Sequence, residues 1–151
     1  CDSATGMATW FAYEYCTDIT ATRKFYGELV GLTLIWDEPD DIAFRHGCVQ
    51  LSFHRVDTLG RPQGWAFQPG WSHGQLPEAP TTEQVRSISI ALPPAAFQSA
   101  AAKLKTAGVQ ALRAEPFWVG YWSFVVLDPD GQTVELTDPE SPATDHRAAT
   151  T

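Results

Sequence analysis

Val49-Gln50-Leu51-Ser52-Phe53 and Val134-Glu135-Leu136-Thr137 read as one strand written twice. Each closes a longer unit. Over Trp10–Val56 an aromatic strand is followed by an amphipathic helix and further strand-like runs, and the same order returns over Val85–Pro139. In both units the helix stops at a glycine and the chain returns extended, as Gly31-Leu32-Thr33-Leu34-Ile35 and as Gly108-Val109-Gln110-Ala111-Leu112. A repeat of this length implies two half-domains that cannot bury their faces alone. Ligand sites then fall in the concave space that such halves provide.

Working outward, Trp10–Cys16 is rich in aromatics, which favour strands. Alternation puts Phe11, Tyr13 and Tyr15 on one face and Glu14 on the other. If this strand is bulged, Glu14 joins the cavity. If its pleat is regular, Glu14 faces the helix and needs a partner such as Arg23 or Lys24. Asp18 caps a helix over Ile19–Val30 that Gly31 ends. Strands Leu32–Trp36, Ile42–Arg45 and Cys48–Val56 follow, the first two joined by the acidic turn Asp37-Glu38-Pro39-Asp40-Asp41. In the second unit, strand Ser87–Leu92 leads through Pro93-Pro94 to a helix over Ala95–Ala107. An aromatic loop, Glu115–Trp122, feeds strand Ser123–Leu127, and Asp128-Pro129-Asp130-Gly131 is a turn. Residues 9–139 thus read as one domain of two modules, 10–56 and 85–139, joined by a connector over 57–84. The connector carries Trp65, Phe67 and Trp71 among its prolines and glycines, which suits packing over a groove or against a second subunit. A polar tail over 140–151 ends the chain.

At 151 residues with a hydrophobic fraction of 44%, the chain can bury a core of ordinary size. Its net charge of −8 excludes nucleic acid as partner, because phosphate binding needs a basic face. The acidity suits a neutral or cationic small ligand, or serves solubility alone. Cys1, Cys16 and Cys48 are odd in number and form no CxxC pair, which predicts neither a disulfide framework nor a zinc site. Cys16 and Cys48 fall in strand-like runs and read as small buried hydrophobes. No apolar run reaches the length of a membrane span, and the cysteine usage suits a reducing cytoplasm. Residues 1–8 read as an extension, either a remnant before a start at Met7 or the cysteine-led beginning of a lipoprotein.

Asp128-Pro129-Asp130-Gly131-Gln132-Thr133-Val134-Glu135-Leu136 resembles the closing motif of the vicinal oxygen chelate superfamily. That group takes in glyoxalase I, extradiol dioxygenases, fosfomycin-resistance enzymes and bleomycin-resistance proteins. Asp18, followed by Lys24-Phe25-Tyr26-Gly27-Glu28-Leu29-Val30-Gly31-Leu32, is similar to the first helix of that group. The resemblance spans roughly Thr9–Pro139. It implies an α+β fold of two βαβββ modules forming a curved mixed sheet around a cavity, commonly completed in a homodimer. It also implies, in metal-dependent members, a ligand set drawn from both modules. Glu135 matches the second-module carboxylate and Gln50 the first-module position. The imidazole positions of the first strands fall near Phe11 and near Ser87, and neither is a histidine. A rearranged set of Gln50, His54 and Glu135 is the alternative, since Gln50, Ser52 and His54 share a strand face.

Two functions follow as expectations. In the first, the protein binds a small aromatic and possibly cationic molecule without a metal, as bleomycin-resistance proteins do, with no cofactor. Phe11, Tyr13, Tyr15, Gln50, His54, Trp65, Trp71, Trp118, Tyr121, Trp122 and Glu135 would line the site, because aromatic walls stack flat ligands and hold cations. In the second, a divalent metal on Gln50, His54 and Glu135 supports a lyase, isomerase or dioxygenase, with Glu135 also carrying protons. A dimer without any small ligand is a third.

Overall fold

The first unit runs β1 (Trp10–Cys16), α1 (Ile19–Arg23), a π-helical segment (Lys24–Leu29), β2 (Thr33–Asp37), β3 (Asp41–His46) and β4 (Val49–Arg55). The second runs β5 (Ser87–Ala91), α2 (Pro94–Thr106), β6 (Phe117–Trp118), β7 (Trp122–Leu127) and β8 (Thr133–Asp138). This computed structural model describes residues 8–60, 65 and 87–144. The chain divides into the units Cys1–Gly60 and Arg61–Thr151. Each holds a four-stranded mixed sheet of the same topology, β1-β4-β3-β2 and β5-β8-β7-β6. In both, the first strand pairs in parallel with the last, and the remaining pairs are antiparallel. The fold is therefore α+β, with the βαβββ order in each unit. Residues 1–7, most of the connector with Trp71, and the tail from 145 lie outside the described residues.

The first helix follows from its sequence only in part. Asp18 caps it, its Oδ1 accepting from the Ala21 N–H at 3.0 Å, and losing such a cap costs about 0.5–2 kcal/mol. After Arg23 the ladder widens, and Val30 N–H bonds to Phe25 C=O at 2.9 Å, five residues back. Gly27 allows this turn to press on the sheet: a Cβ there would lie 3.2 Å from the Phe44 ring. Gly31, at φ 92°, takes the left-handed conformation that turns the chain into β2. The helix face buries Thr22, Phe25, Tyr26 and Val30. Tyr26 stacks on Phe53 at 4.7 Å and meets Phe25 at 4.8 Å, and Phe44 closes the cluster. Such ring pairs add about 0.5–1.5 kcal/mol each beyond their burial.

In the second unit α2 buries Phe97, Ala100, Ala101 and Leu104. The extended run expected after Gly108 shrinks to a single bridge, Ala111 on Val126, because the chain bends over residues 112–115. The aromatic loop instead supplies the short edge strand β6. Every residue of β8 is buried. Cys16 is buried and free, as a small hydrophobe should be. Cys48 departs from that expectation: it lies half-buried in the turn after Gly47, outside β4, and is disulfide-bonded. Among the described residues no helix is long and apolar enough to cross a membrane.

Candidate functional site

The register of the first sheet aligns three files of side chains on its face away from α1. Phe11 pairs with Gln50, Tyr13 with Ser52 and Tyr15 with His54. From β4 the files continue into β3 as Arg45, Ala43 and Asp41. On β2 the register shifts between Leu34 and Trp36, leaving Ile35 as an extra residue. Leu34 therefore pairs with Phe44 on the helix side, whereas Trp36 pairs with Ala43 and joins the file of Tyr13 and Ser52.

These files wall a cavity of about 660 Å³, lined by Tyr13, Glu14, Tyr15, Trp36, Glu38, Asp41, Ile42, Ala43, Gln50, Ser52, Phe53 and His54. The lining contains three carboxylates, three large rings besides Phe53 and His54, and neither lysine nor arginine. The acidic turn is divided by its partners. Asp37 takes two hydrogen bonds from Arg23, and Asp40 takes one from Arg55 at 2.8 Å. Hydrogen bonds from Arg55 to Asp40 and Asp57 hold its guanidinium protonated above the ordinary arginine range. Asp41 pairs with His54 at 2.6 Å, and Glu38 faces the cavity with it.

Of the residues expected to line a site, Tyr13, Tyr15, Gln50 and His54 meet here. Phe11 lies one pair beyond, beside Gln50. Tyr13 is 74% exposed and Trp36 56%. β1 runs without a bulge, and Glu14 is buried on the alternate side of the strand from Tyr13 and Tyr15 while still reaching the lining. Arg23, weighed as its partner, bonds to Asp37 instead. Trp36, Glu38, Asp41 and Ser52 were not singled out from sequence. Alternation had already placed Ser52 on the face of Gln50 and His54, though not as a site residue.

Glu135 belongs to the second unit and is built differently. It pairs across the sheet with Ser89, two residues beyond the Ser87 position expected from the motif. The Ser89 hydroxyl donates to its Oε1 at 2.7 Å. The Ser123 and Tyr121 hydroxyls donate to its Oε2 at 2.7 and 3.0 Å. At 2% exposure this carboxylate is out of water, and three hydroxyl donors replace its hydration. Tyr121 is buried with it. Trp122 is buried too, and its indole N–H bonds to the Pro142 carbonyl at 2.8 Å. Trp118 stands over Trp122 in an edge-on pair at 5.8 Å, 42% exposed. Trp65 is half-buried.

A family profile described as Glyoxalase/Bleomycin resistance protein/Dioxygenase superfamily matches residues 14–136. The chain belongs to this superfamily. A search of curated proteins finds no match. Among solved structures, a glyoxalase/dioxygenase from Nostoc punctiforme aligns with a TM-score of 0.64 at 18% identity, covering 86% of this chain and 90% of the other. A lactoylglutathione lyase from Agrobacterium tumefaciens aligns at 0.56 and 17% identity, covering 87% and 92%. The fosfomycin resistance protein FosX from Mesorhizobium loti aligns at 0.56 and 12%, covering 86% and 89%. At such identities the likeness is one of fold.

The superfamily includes metal-dependent members, and among the described residues neither unit by itself assembles a metal's donor set. Glu135 spends both oxygens on hydroxyl protons, and its strand neighbour is a serine. The Gln50 amide, a weak neutral donor, leans on Ser52 at 3.4 Å. Among the described residues no three of His, Cys, Asp and Glu are grouped to hold an ion. A catalytic divalent site takes about three such ligands and an open position.

Proposed function

We propose that this chain is a metal-free binding protein that holds a flat, positively charged aromatic molecule against the open sheet face of its first module. One observation carries the reading. A single cavity combines the rings of Tyr13, Tyr15 and Trp36 with the carboxylates of Glu14, Glu38 and Asp41, and its lining contains neither lysine nor arginine. Rings stack a planar ligand and attract its charge through their faces, by about 0.5–2 kcal/mol per cation–π contact. Carboxylates on an apolar wall add to that attraction and discriminate against anions.

The proposal includes a homodimer. Trp10, 72% exposed, and Ile35, 44% exposed, leave apolar surface on the first unit that a second copy would cover. Light scattering should return twice the chain mass.

The binding test is a tryptophan-fluorescence titration with an acridinium dye and with a sulfonated aromatic of similar size. The cation should bind at least ten-fold more tightly, and the gap should narrow with salt. Equal affinity for the anion would overturn the reading. Calorimetric titration with Ni²⁺, Zn²⁺ or Fe²⁺ should show no tight, stoichiometric uptake. Such uptake, abolished in Glu135→Ala, would restore the metal-dependent alternative.

A further inference from the structure

The pair His54–Asp41 gives this cavity a chemistry that binding alone does not use. Resting on the reading of the cavity as a ligand site, we propose that His54 is a general base. Asp41 would hold it in one tautomer, and the cavity would take a proton from a planar aromatic substrate with an acidic C–H or N–H.

The geometry begins with the sheet. β3 places Asp41 directly opposite His54, and Asp41 Oδ1 lies 2.6 Å from His54 Nδ1. An ionised carboxylate has no proton to give, so the hydrogen in this bond belongs to Nδ1. In the neutral ring the lone pair is then on Nε2. Nε2 has no hydrogen-bond partner among the described residues, and the ring lines the cavity. On its other side Tyr15 stands edge-on at 6.4 Å. A carboxylate on Nδ1 with a bare Nε2 toward the substrate is the arrangement that makes histidine an oriented proton acceptor, and it steadies the imidazolium that forms.

The same strand supplies the other end of the reaction. Ser52 and Gln50 follow His54 on one face, in steps of roughly 7 Å per two residues. Ser52 Oγ accepts from the Gln50 amide, so its own hydroxyl proton is free to donate. A base at one end and O–H and N–H donors at the other span a flat ring system, where negative charge left by the departing proton would be met. The titratable groups beside His54 are Asp41 from β3 and Tyr15 from β1, with Glu14 and Glu38 elsewhere on the lining. Asp41 is a positioning residue; His54 is the group that touches substrate.

The probe is 5-nitrobenzisoxazole, a flat molecule that reports proton removal directly. His54 Nε2 takes the C3 proton. The electrons of that C–H bond form the third bond of a nitrile, the N–O bond breaks, and its pair leaves on the phenolate oxygen of 2-cyano-4-nitrophenol. The imidazolium then returns its proton to water. Product absorbance should show a rate about 100-fold or more above free imidazole at equal concentration. The rate should rise with pH through one ionisation. His54→Ala should abolish the acceleration. Asp41→Asn should lower kcat about ten-fold or more with KM little changed. In the unaltered protein, imidazole ¹⁵N shifts should place the His54 proton on Nδ1. A rate that survives His54→Ala, or a proton found on Nε2, would overturn the proposal. Trp36 fluorescence separates the two readings. Saturable probe binding without a His54-dependent rate sinks the base alone; no saturable binding of either the probe or the acridinium cation sinks it together with the ligand cavity.

Discussion

Gln50 and Glu135 hold matching places in the two modules. Each lies on the last strand of its sheet, facing the first strand: Gln50 opposite Phe11, Glu135 opposite Ser89. Around Gln50 the sheet face is open, and exposed rings line a cavity. Around Glu135 every residue of β8 is buried, and three hydroxyls close on the carboxylate. The difference shows one strand position turned to two uses. Where water is excluded, a charge must be answered by donors, and those donors then fix the core around it. Where the face stays open, a neutral amide suffices, and the neighbouring side chains remain available to a ligand.

The largest test of that contrast is Glu135→Ala. It removes the acceptor of the buried Ser123 and Tyr121 hydroxyls and leaves a hole, and an unmet buried group costs about 1–3 kcal/mol. Denaturant unfolding should show a loss of about 3 kcal/mol or more, whereas Gln50→Ala should change stability by less than about 1 kcal/mol. Similar losses for both would break the comparison. Trp36→Ala comes next. It should weaken binding of an aromatic cation about ten-fold, near 1.4 kcal/mol, and leave the unfolding midpoint almost unmoved because the ring is largely exposed. Glu38→Gln should weaken the same cation by about three-fold at low salt and by less at high salt, as a rim charge does. The smallest effect belongs to Arg23→Ala. Its ion pair with Asp37 is near solvent on both sides, and the stability loss should be about 0.2–1 kcal/mol.

The fold was legible because its signals repeat. Gly31 and Gly108 stop both helices, and the β4 and β8 sequences announce their common place. The cap at Asp18 and the buried faces of both helices follow from spacing. The site was only half legible. Alternation gave the Tyr13, Tyr15 and His54 face, because β1 and β4 are regular. It could not give Trp36, whose orientation depends on Ile35 having no partner across the sheet. Nor could it give Asp41 as the partner of His54, thirteen residues away, without the register of β3 on β4. Motif likeness pointed to Ser87 where cross-strand pairing selects Ser89, a slip of one full pleat. The widened helical turn after Arg23 reflects tertiary contact with Phe44, which local spacing does not encode.

The unpaired Ile35 has a consequence for how this cavity can change over time. Deleting that single codon would let β2 alternate without interruption and keep the Trp36 indole opposite Ala43, whereas pairing Ile35 with Ala43 instead would turn the indole to the helix side and strip the pocket of its broadest surface. A one-residue slip in how β2 pairs, with no substitution anywhere, thus separates a sheet that presents this indole to a guest from one that buries it.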